Sequence, residues 1–364
     1  MPVKIAASIH EVEPASWNAL AGDNPFVRHA WLSALEDSGS VGPGTSWSPA
    51  HVLVERDGAL VGAAPAYVRG DSWGEYIFDW AWADGARRAG IRYYPKLTVA
   101  VPFTPATGPR LLGDRVAVLA AIASLGGQMS GSHVLFCDES EAQAAGWLHR
   151  LSFQFHWQSA GWASFDEWLG ALTSRRRKEV RRERRIAREG IDIRVLRGPE
   201  LDGADWRALD GFYRSTAAKM GGHAYLTPEF FRRVRSALPE DVVAVLASRG
   251  GERIAGTFNL CRGGRLYGRW WGCTEDRPML HFECCYYALI EWCLDHGISG
   301  FEAGAQGEHK LSRGFLPTLT HSAHRLTDPR LHAAVGRFVD EEAERVRSLV
   351  AALATESPYA ERAG

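Results

Sequence analysis

No run of apolar residues in this sequence approaches the roughly 20 that carry a helix across a bilayer. The opening residues, MPVKIAASIHEVEPASW, lack the basic stretch followed by an apolar one that marks a secretory leader. Cysteine is scarce. Cys137, Cys261, Cys273, Cys284, Cys285 and Cys293 are scattered through 364 residues with no C-x-x-C pair, which argues against a disulfide scaffold, a zinc ribbon and a thioredoxin-like redox motif. An excess of one charge is also missing, since 42 Lys+Arg stand against 43 Asp+Glu. That balance excludes a uniformly basic nucleic-acid binder, although a sum is blind to local patches. These absences describe a soluble protein of a reducing compartment, the cytoplasm, with no membrane span.

What is present is enough chain for about two domains, with 14 Trp, 10 Tyr and 15 Phe to fill cores and line surfaces or cavities. Asn24–Asp37 reads as a helix. HVLVERDGALVGAAPAYV then alternates about Asp57-Gly58, a strong hairpin signal, and DVVAVLASRGGERIAGTFNLC repeats the design about Gly250-Gly251. In the first half the hairpin is followed by a Gly/aromatic strand (SWGEYIFD), a helical stretch (WAWADGARRAG) and IRYYPKLTVAVPFTPATG. In the second half the order is RLYGRWWG, HFECCYYALIEWCLDHG and ISGFEAGAQGEHKLSRGFLPT. This is one α/β unit written twice. The pattern predicts a first unit over 1–160, a second over 161–330, and an amphipathic helix and fraying tail over 331–364, the helix running through Val335, Phe338, Val339, Val346, Val350 and Leu353.

The densest polar cluster is FEAGAQGEHKLSRGF, which gathers Glu302, Gln306, Glu308, His309, Lys310 and Arg313 after what should be a buried strand. Side chains at the carboxyl end of such a strand are where α/β units bind ligands, and the bland alternative is a solvated loop. LHFECCYYALIEW opens a central helix with His281 and Glu283. His281 has the spacing to meet Cys284 or Cys285, yet thiols in so apolar a helix are more often core residues than nucleophiles. His309, His321 and His324 match no established metal-ligand spacing, and Ser312 is not set in a G-x-S-x-G elbow. In the first half Glu75, Tyr76, Asp79, Tyr94 and Lys96 interleave acids with aromatics, either as a tuned cleft or as core with local ion pairs.

Between the halves, TSRRRKEVRRERRIAREG concentrates Arg175, Arg176, Arg177, Lys178, Arg181, Arg182, Arg184, Arg185 and Arg188 in one helical run closed by Gly190. Such density is either a solvated face or a site for phosphates.

The strings GEYIFDWAW, YYPKL, PFTPATGPRLL, LTSRRRKEVRRER, YGRWWGC, LHFECCYYALIEW and FEAGAQGEHKLSRGFLPTLTHSAH resemble the FemAB-like family, labelled peptidoglycan biosynthesis/recognition, within the GNAT acyltransferase superfamily. The resemblance covers about residues 24–330. It implies tandem GNAT-like units, each a mixed, mostly antiparallel sheet flanked by helices, and an enzyme that transfers an acyl or aminoacyl group to the amine of a small molecule or peptide. It implies no tightly bound cofactor and no metal.

GNAT enzymes that use acyl-CoA cradle the pyrophosphate on a Q/R-x-x-G-x-G/A turn, whereas CTEDRPMLHFECC here has no glycine after Gly272 before the helix. That absence weakens CoA, and the resemblance implies instead an aminoacyl-tRNA donor, with Arg175, Arg176, Arg177, Lys178, Arg181, Arg182 and Arg185 suited to its phosphates and acyl-CoA as the alternative. A non-catalytic RNA- or glycan-binding module on the same scaffold is the other class. Under the enzyme reading, Glu302 or Glu308 is the expected base and His309 a second candidate, with Lys310 as the oxyanion or phosphate contact. Arg313 would support Lys310, and Glu75, Tyr76, Asp79, Tyr94, Lys96, His281, Glu283 and Gln306 would hold substrate in a cleft between the units.

Overall fold

Two compact units, interleaved along the chain, make up the computed structural model, which describes residues 2–360 except 220, 223 and 306. One unit comprises residues 2–153, 225–233 and 319–349, the other 154–224, 234–318 and 350–360.

In the first unit a four-stranded antiparallel sheet runs in the order Val3–Ala6, His51–Arg56, Ala59–Ala64, Leu112–Gly113. Its hairpin turns at Asp57 and Gly58, both at positive φ (52° and 78°), the geometry a two-residue turn needs to follow strand twist. A second sheet carries Trp47–Pro49, Ala66–Arg69, Lys96–Val99 and Gly131–Cys137, the last paired with His321–Leu326. Lys96–Val99 and Gly131–Cys137 are parallel because the helix Arg115–Gly126 lies between them in the chain. Val118, Ala121 and Ile122 of that helix pack on Val52, Val54, Leu97, Val99 and Val134. Each such fully buried Val, Leu or Ile contributes about 1.5–3 kcal/mol. The C-terminal helix, Pro329–Thr355, seats Leu331, Val335 and Val339 on Trp82, Ala86 and Tyr93.

The second unit holds one sheet in the order Asp192–Arg197, Val242–Arg249, Glu252–Arg262, Arg265–Cys273, Gly300–Glu302 and residues 156–158. Only Arg265–Cys273 with Gly300–Glu302 is parallel, the link being the helical segment Leu280–Asp295. The helix Gly203–Lys219 lies so close to the sheet that a Cβ on Gly272 would fall 2.0 Å from the Phe212 carbonyl oxygen. Glycine there is a packing requirement.

Three readings of local structure are corrected. Asn24–Asp37 is a 3₁₀ turn (Pro25–Val27) followed by the helix His29–Asp37, because Asn24 caps the first through its side-chain oxygen and the backbone extends again at Arg28. SWGEYIFD is not a strand: Tyr76 and Phe78 sit at positive φ (59° and 55°), which breaks any ladder. The tail does not fray through Ala360, since Thr173 and Ala360 N–H groups donate to Pro358 and Ala171 carbonyls and the Tyr359 hydroxyl donates to Gly314 O at 2.8 Å. Among the described residues no helix is long and apolar enough to cross a membrane, and no cluster of His, Cys, Asp or Glu is arranged for a metal ion.

Candidate active site

Arg265–Cys273 carries one residue more than its antiparallel neighbour. Phe258 opposes Trp270 and Asn259 opposes Gly268, so Arg269 is a β-bulge that bends the strand. On its other side the strand runs parallel to Gly300–Glu302 for only three positions, ending at Tyr267 opposite Glu302. Beyond that point lies a cavity of about 90 Å³, lined by Gly268, Trp270, Trp271 and Ala303 and, from the facing helix, by His281, Cys285 and Tyr286.

That helix is interrupted by a π-turn at Glu283–Tyr287, a register change that recurs at functional sites. It is pinned by Glu283, whose carboxylate is fully buried and held by Arg184 (3.1 Å) and Arg188 (2.6 Å) of the Arg-rich helix Ser174–Arg188. Glu183 of the same helix accepts two hydrogen bonds from Arg313 (2.7 and 3.2 Å) and one from the Tyr287 hydroxyl. The Arg313 guanidinium lies 3.4 Å over the Phe282 ring.

Lys310 is buried in the 3₁₀ turn Glu308–Arg313, and its Nζ donates to Gly304 O at 2.7 Å. No carboxylate pairs with it among the described residues, and burial brings its ammonium down to about 8. Its charge is felt by Cys285, in the cavity wall, whose thiol burial nevertheless holds far above the ordinary range. Cys284 is pushed up likewise, so neither thiol is a nucleophile at neutral pH. Burial, with the positive charges of His309, Arg313 and Lys310 adding to it, lowers His281 to about 4, so its imidazole is neutral. His309, on the exposed side, places Nε2 2.9 Å from the Tyr286 hydroxyl, and its pKa is lowered by burial, Arg313 and Lys310.

His281 and Tyr286 therefore line the cavity, and three groups stand behind that wall: His309 against the Tyr286 hydroxyl, Lys310 acting on Cys285, and Arg313 over the Phe282 ring. Glu302 is buried beside Arg265 (3.4 Å) and His156 (3.8 Å), and Glu308 is exposed. Gln306 lies outside the described residues. Cys285, whose spacing to His281 in the sequence suits a base–thiol pair, is inert as its apolar helix implies, and Tyr286 is the cavity group that the sequence does not mark, its signal being only an apolar helix face.

In the first unit the expected substrate residues form a closed cluster. Lys96, fully buried, donates to Glu75 (2.8 Å), Asp79 (2.6 Å) and Ser72 (2.9 Å). Arg69 and Thr98 also donate to Glu75, and Tyr93 to Asp79. Burial works against the Asp79 charge, yet Lys96 and Tyr93 hold its carboxyl well below the usual range. Tyr94 shares a hydrogen bond with Ser72, and Tyr76 is half-buried.

On the Arg-rich helix, Arg184 and Arg188 are spent on Glu283, and Arg176 pairs with Glu179. Arg177 donates to Gly170 O. Arg175, Lys178, Arg181, Arg182 and Arg185 are exposed and, among the described residues, have no acidic partner. Their spacing puts all five on one stripe, opposite the buried Val180, Glu183 and Ala187.

The fold is that of tandem GNAT-type units with an Arg-rich helix and a C-terminal helix. Residues 8–361 match the FemAB-like family, described as peptidoglycan biosynthesis/recognition. The chain belongs to that family, and so to the acyl- and aminoacyl-transferring enzymes. No functionally curated protein matches the sequence. Among solved structures, FemX is similar at 11% identity over 92% of this chain and all of that one, with a TM-score of 0.54. L-PGS from Bacillus licheniformis (12% identity, 84% and 95% coverage, TM-score 0.49) and a tandem GNAT protein from the clavulanic acid biosynthesis pathway (12%, 90% and 99%, 0.45) are also similar.

Proposed function

We propose that the cavity beside Lys310 is the site of N-acyl transfer from an aminoacyl-tRNA to the amine of a peptide or peptidoglycan-precursor acceptor. The observation that carries the reading is Lys310: a buried ammonium that has no counter-ion among the described residues, behind the Cys285 wall of a cavity, is what a developing oxyanion needs and what a stable fold would otherwise avoid. Gly304 takes one of its three N–H donors and leaves two for the tetrahedral oxygen.

His309 is the favoured base. With Nε2 donating to the Tyr286 hydroxyl oxygen, Nδ1 is left to take the proton as the acceptor amine attacks the carbonyl. Collapse of the adduct breaks the ester bond, and His309 returns that proton to the departing terminal ribose oxygen of the tRNA. Glu302 and Glu308 rank below it, the first because Arg265 and His156 flank it and the second because, among the described residues, no hydrogen bond ties it to a cavity-lining group as His309 is tied to Tyr286.

Two features favour tRNA over CoA. The stripe of five unpaired cations suits a phosphate backbone. The turn ahead of Leu280, where CoA pyrophosphate would sit, carries Glu275 and Asp276 and reaches the helix through Met279 at φ 62°. Glu275 is itself paired with Arg249 (2.9 Å) and Arg277 (3.5 Å), and what disfavours a pyrophosphate is the Met279 side chain at a place where a glycine-rich turn would bare its N–H groups.

Incubation of the protein with a labelled aminoacyl-tRNA or with labelled acetyl-CoA, each with a panel of amines, separates the donors. Amine-dependent consumption of the tRNA ester supports this reading. Consumption of acetyl-CoA alone replaces the donor, and tight RNA binding with no turnover replaces the enzyme by a binding module.

A further inference from the structure

Residues 75–79 of the first unit are held inward at every second position. Glu75 and Asp79 are locked to Lys96, and the carbonyl of buried Ile77 accepts from Arg150 Nη1 at 2.7 Å. The alternate positions are all aromatic, and of these Phe78 and Trp80 turn outward while Tyr76 stays half-buried. Tyr76 and Phe78 adopt positive φ, a conformation that bulky side chains avoid unless their surroundings impose it. The result is an exposed aromatic surface. Trp73 is 61% exposed, Phe78 53% and Trp80 40%, with the Trp73 and Trp80 rings 5.0 Å apart.

The helix Trp80–Arg88 continues this surface. Small residues at one-turn spacing, Ala81, Gly85 and Ala89, floor an apolar groove of about 310 Å³ whose opposite wall is Leu331, Ala334 and Phe338. Arg87 lies two turns on from Trp80, on its face, with Arg88 beside it, and the two share Asp84. Arg92, exposed, adds a third cation. Aromatics, an apolar groove and a cationic rim occur together here, and the carboxylate of this face, Asp84, is taken up by Arg87 and Arg88.

We propose that this face docks on an anionic lipid bilayer, with Trp73, Phe78 and Trp80 entering the headgroup region and Arg87, Arg88 and Arg92 meeting lipid phosphates. Tryptophan is suited to that zone, its body apolar and its N–H wet, and clustered arginine next to exposed aromatics gives the two weak signals that together hold a peripheral protein. The inference stands apart from the acyl-transfer reading, because no residue of the cavity in the second unit takes part.

The test is cosedimentation of the full chain with vesicles of phosphatidylcholine alone and of phosphatidylcholine containing phosphatidylglycerol. Binding to the anionic vesicles, weakened at least tenfold by Trp73→Ala with Phe78→Ser and Trp80→Ala, and made salt-insensitive by Arg87→Gln with Arg88→Gln and Arg92→Gln, supports the proposal. All six positions are exposed or at the surface, and an unchanged circular dichroism melt certifies each variant. Absence of wild-type binding to either vesicle, binding that both sets of substitutions leave intact, or a dimer that the aromatic substitutions dissociate would each overturn it.

Discussion

Lys310 Nζ donates to the Gly304 carbonyl oxygen at 2.7 Å, and that bond is the only polar contact of its ammonium among the described residues. Lys96 is equally buried but faces two carboxylates, and its pKa is raised where that of Lys310 is lowered. One lysine is built into the fold as half of an ion cluster. The other is held charged against its surroundings.

Lys310→Ala should therefore lower kcat by about 10²–10³, the usual cost of an oxyanion donor, with little change in KM. Lys310→Met should at the same time raise stability by about 1–3 kcal/mol at pH 7, because the folded chain no longer protonates a group whose pKa burial has lowered. Steady-state kinetics and urea unfolding on the same preparations check both. A variant that loses stability as well as turnover would make Lys310 structural.

The rate should follow a bell in pH. Its alkaline limb falls as Lys310 loses its proton near pH 8. Its acid limb rises as His309 becomes neutral, at a pH below that of an ordinary histidine because burial and two neighbouring cations oppose its charge. His309→Asn should remove the acid limb and keep the alkaline one.

Stability should fall as pH drops from 7 to 5. His133 and His156 are lowered to about 3, His281 to about 4, and His324, against His133 at 2.8 Å, well below its ordinary value, burial being the largest cause in each case. Below about pH 6.5 the unfolded chain binds protons that the folded chain refuses, at a cost of about 1–2 kcal/mol per histidine by pH 5. Calorimetric Tm against pH measures this, and a flat profile over that interval would contradict it.

Lys96→Met should destabilise the first unit by about 3–5 kcal/mol, since Asp79 and Glu75 then stay buried with one cation fewer. Adding Asp79→Asn should recover part of the loss. Urea midpoints of the single and double variants decide whether the cluster acts as a pair or whether its members are independent.

Much of this architecture is legible in the sequence because it is local. Alternation about Asp57-Gly58 and Gly250-Gly251 gives the hairpins, and the periodicity through Val335 and Val339 gives the last helix. The Arg-rich run is visible too, yet its division into anchors and free cations is not. Glu283 lies about 100 positions from Arg184, and only the fold brings them together. The bulge at Arg269 and the π-turn at Glu283–Tyr287 are register shifts with no compositional mark. The string SWGEYIFD reads as a strand because aromatics and alternation favour one, and what defeats the strand is burial of Glu75 and Asp79 against a lysine some 20 residues on.

The central claim is that acyl transfer takes place beside Lys310, and single-turnover transfer from a labelled aminoacyl-tRNA to an amine, by wild type and Lys310→Ala at pH 7, tests it most directly. The account expects amine-dependent loss of the ester with wild type and a rate at least about a hundredfold lower with the variant. Equal rates in the two proteins, with both folded, would contradict it.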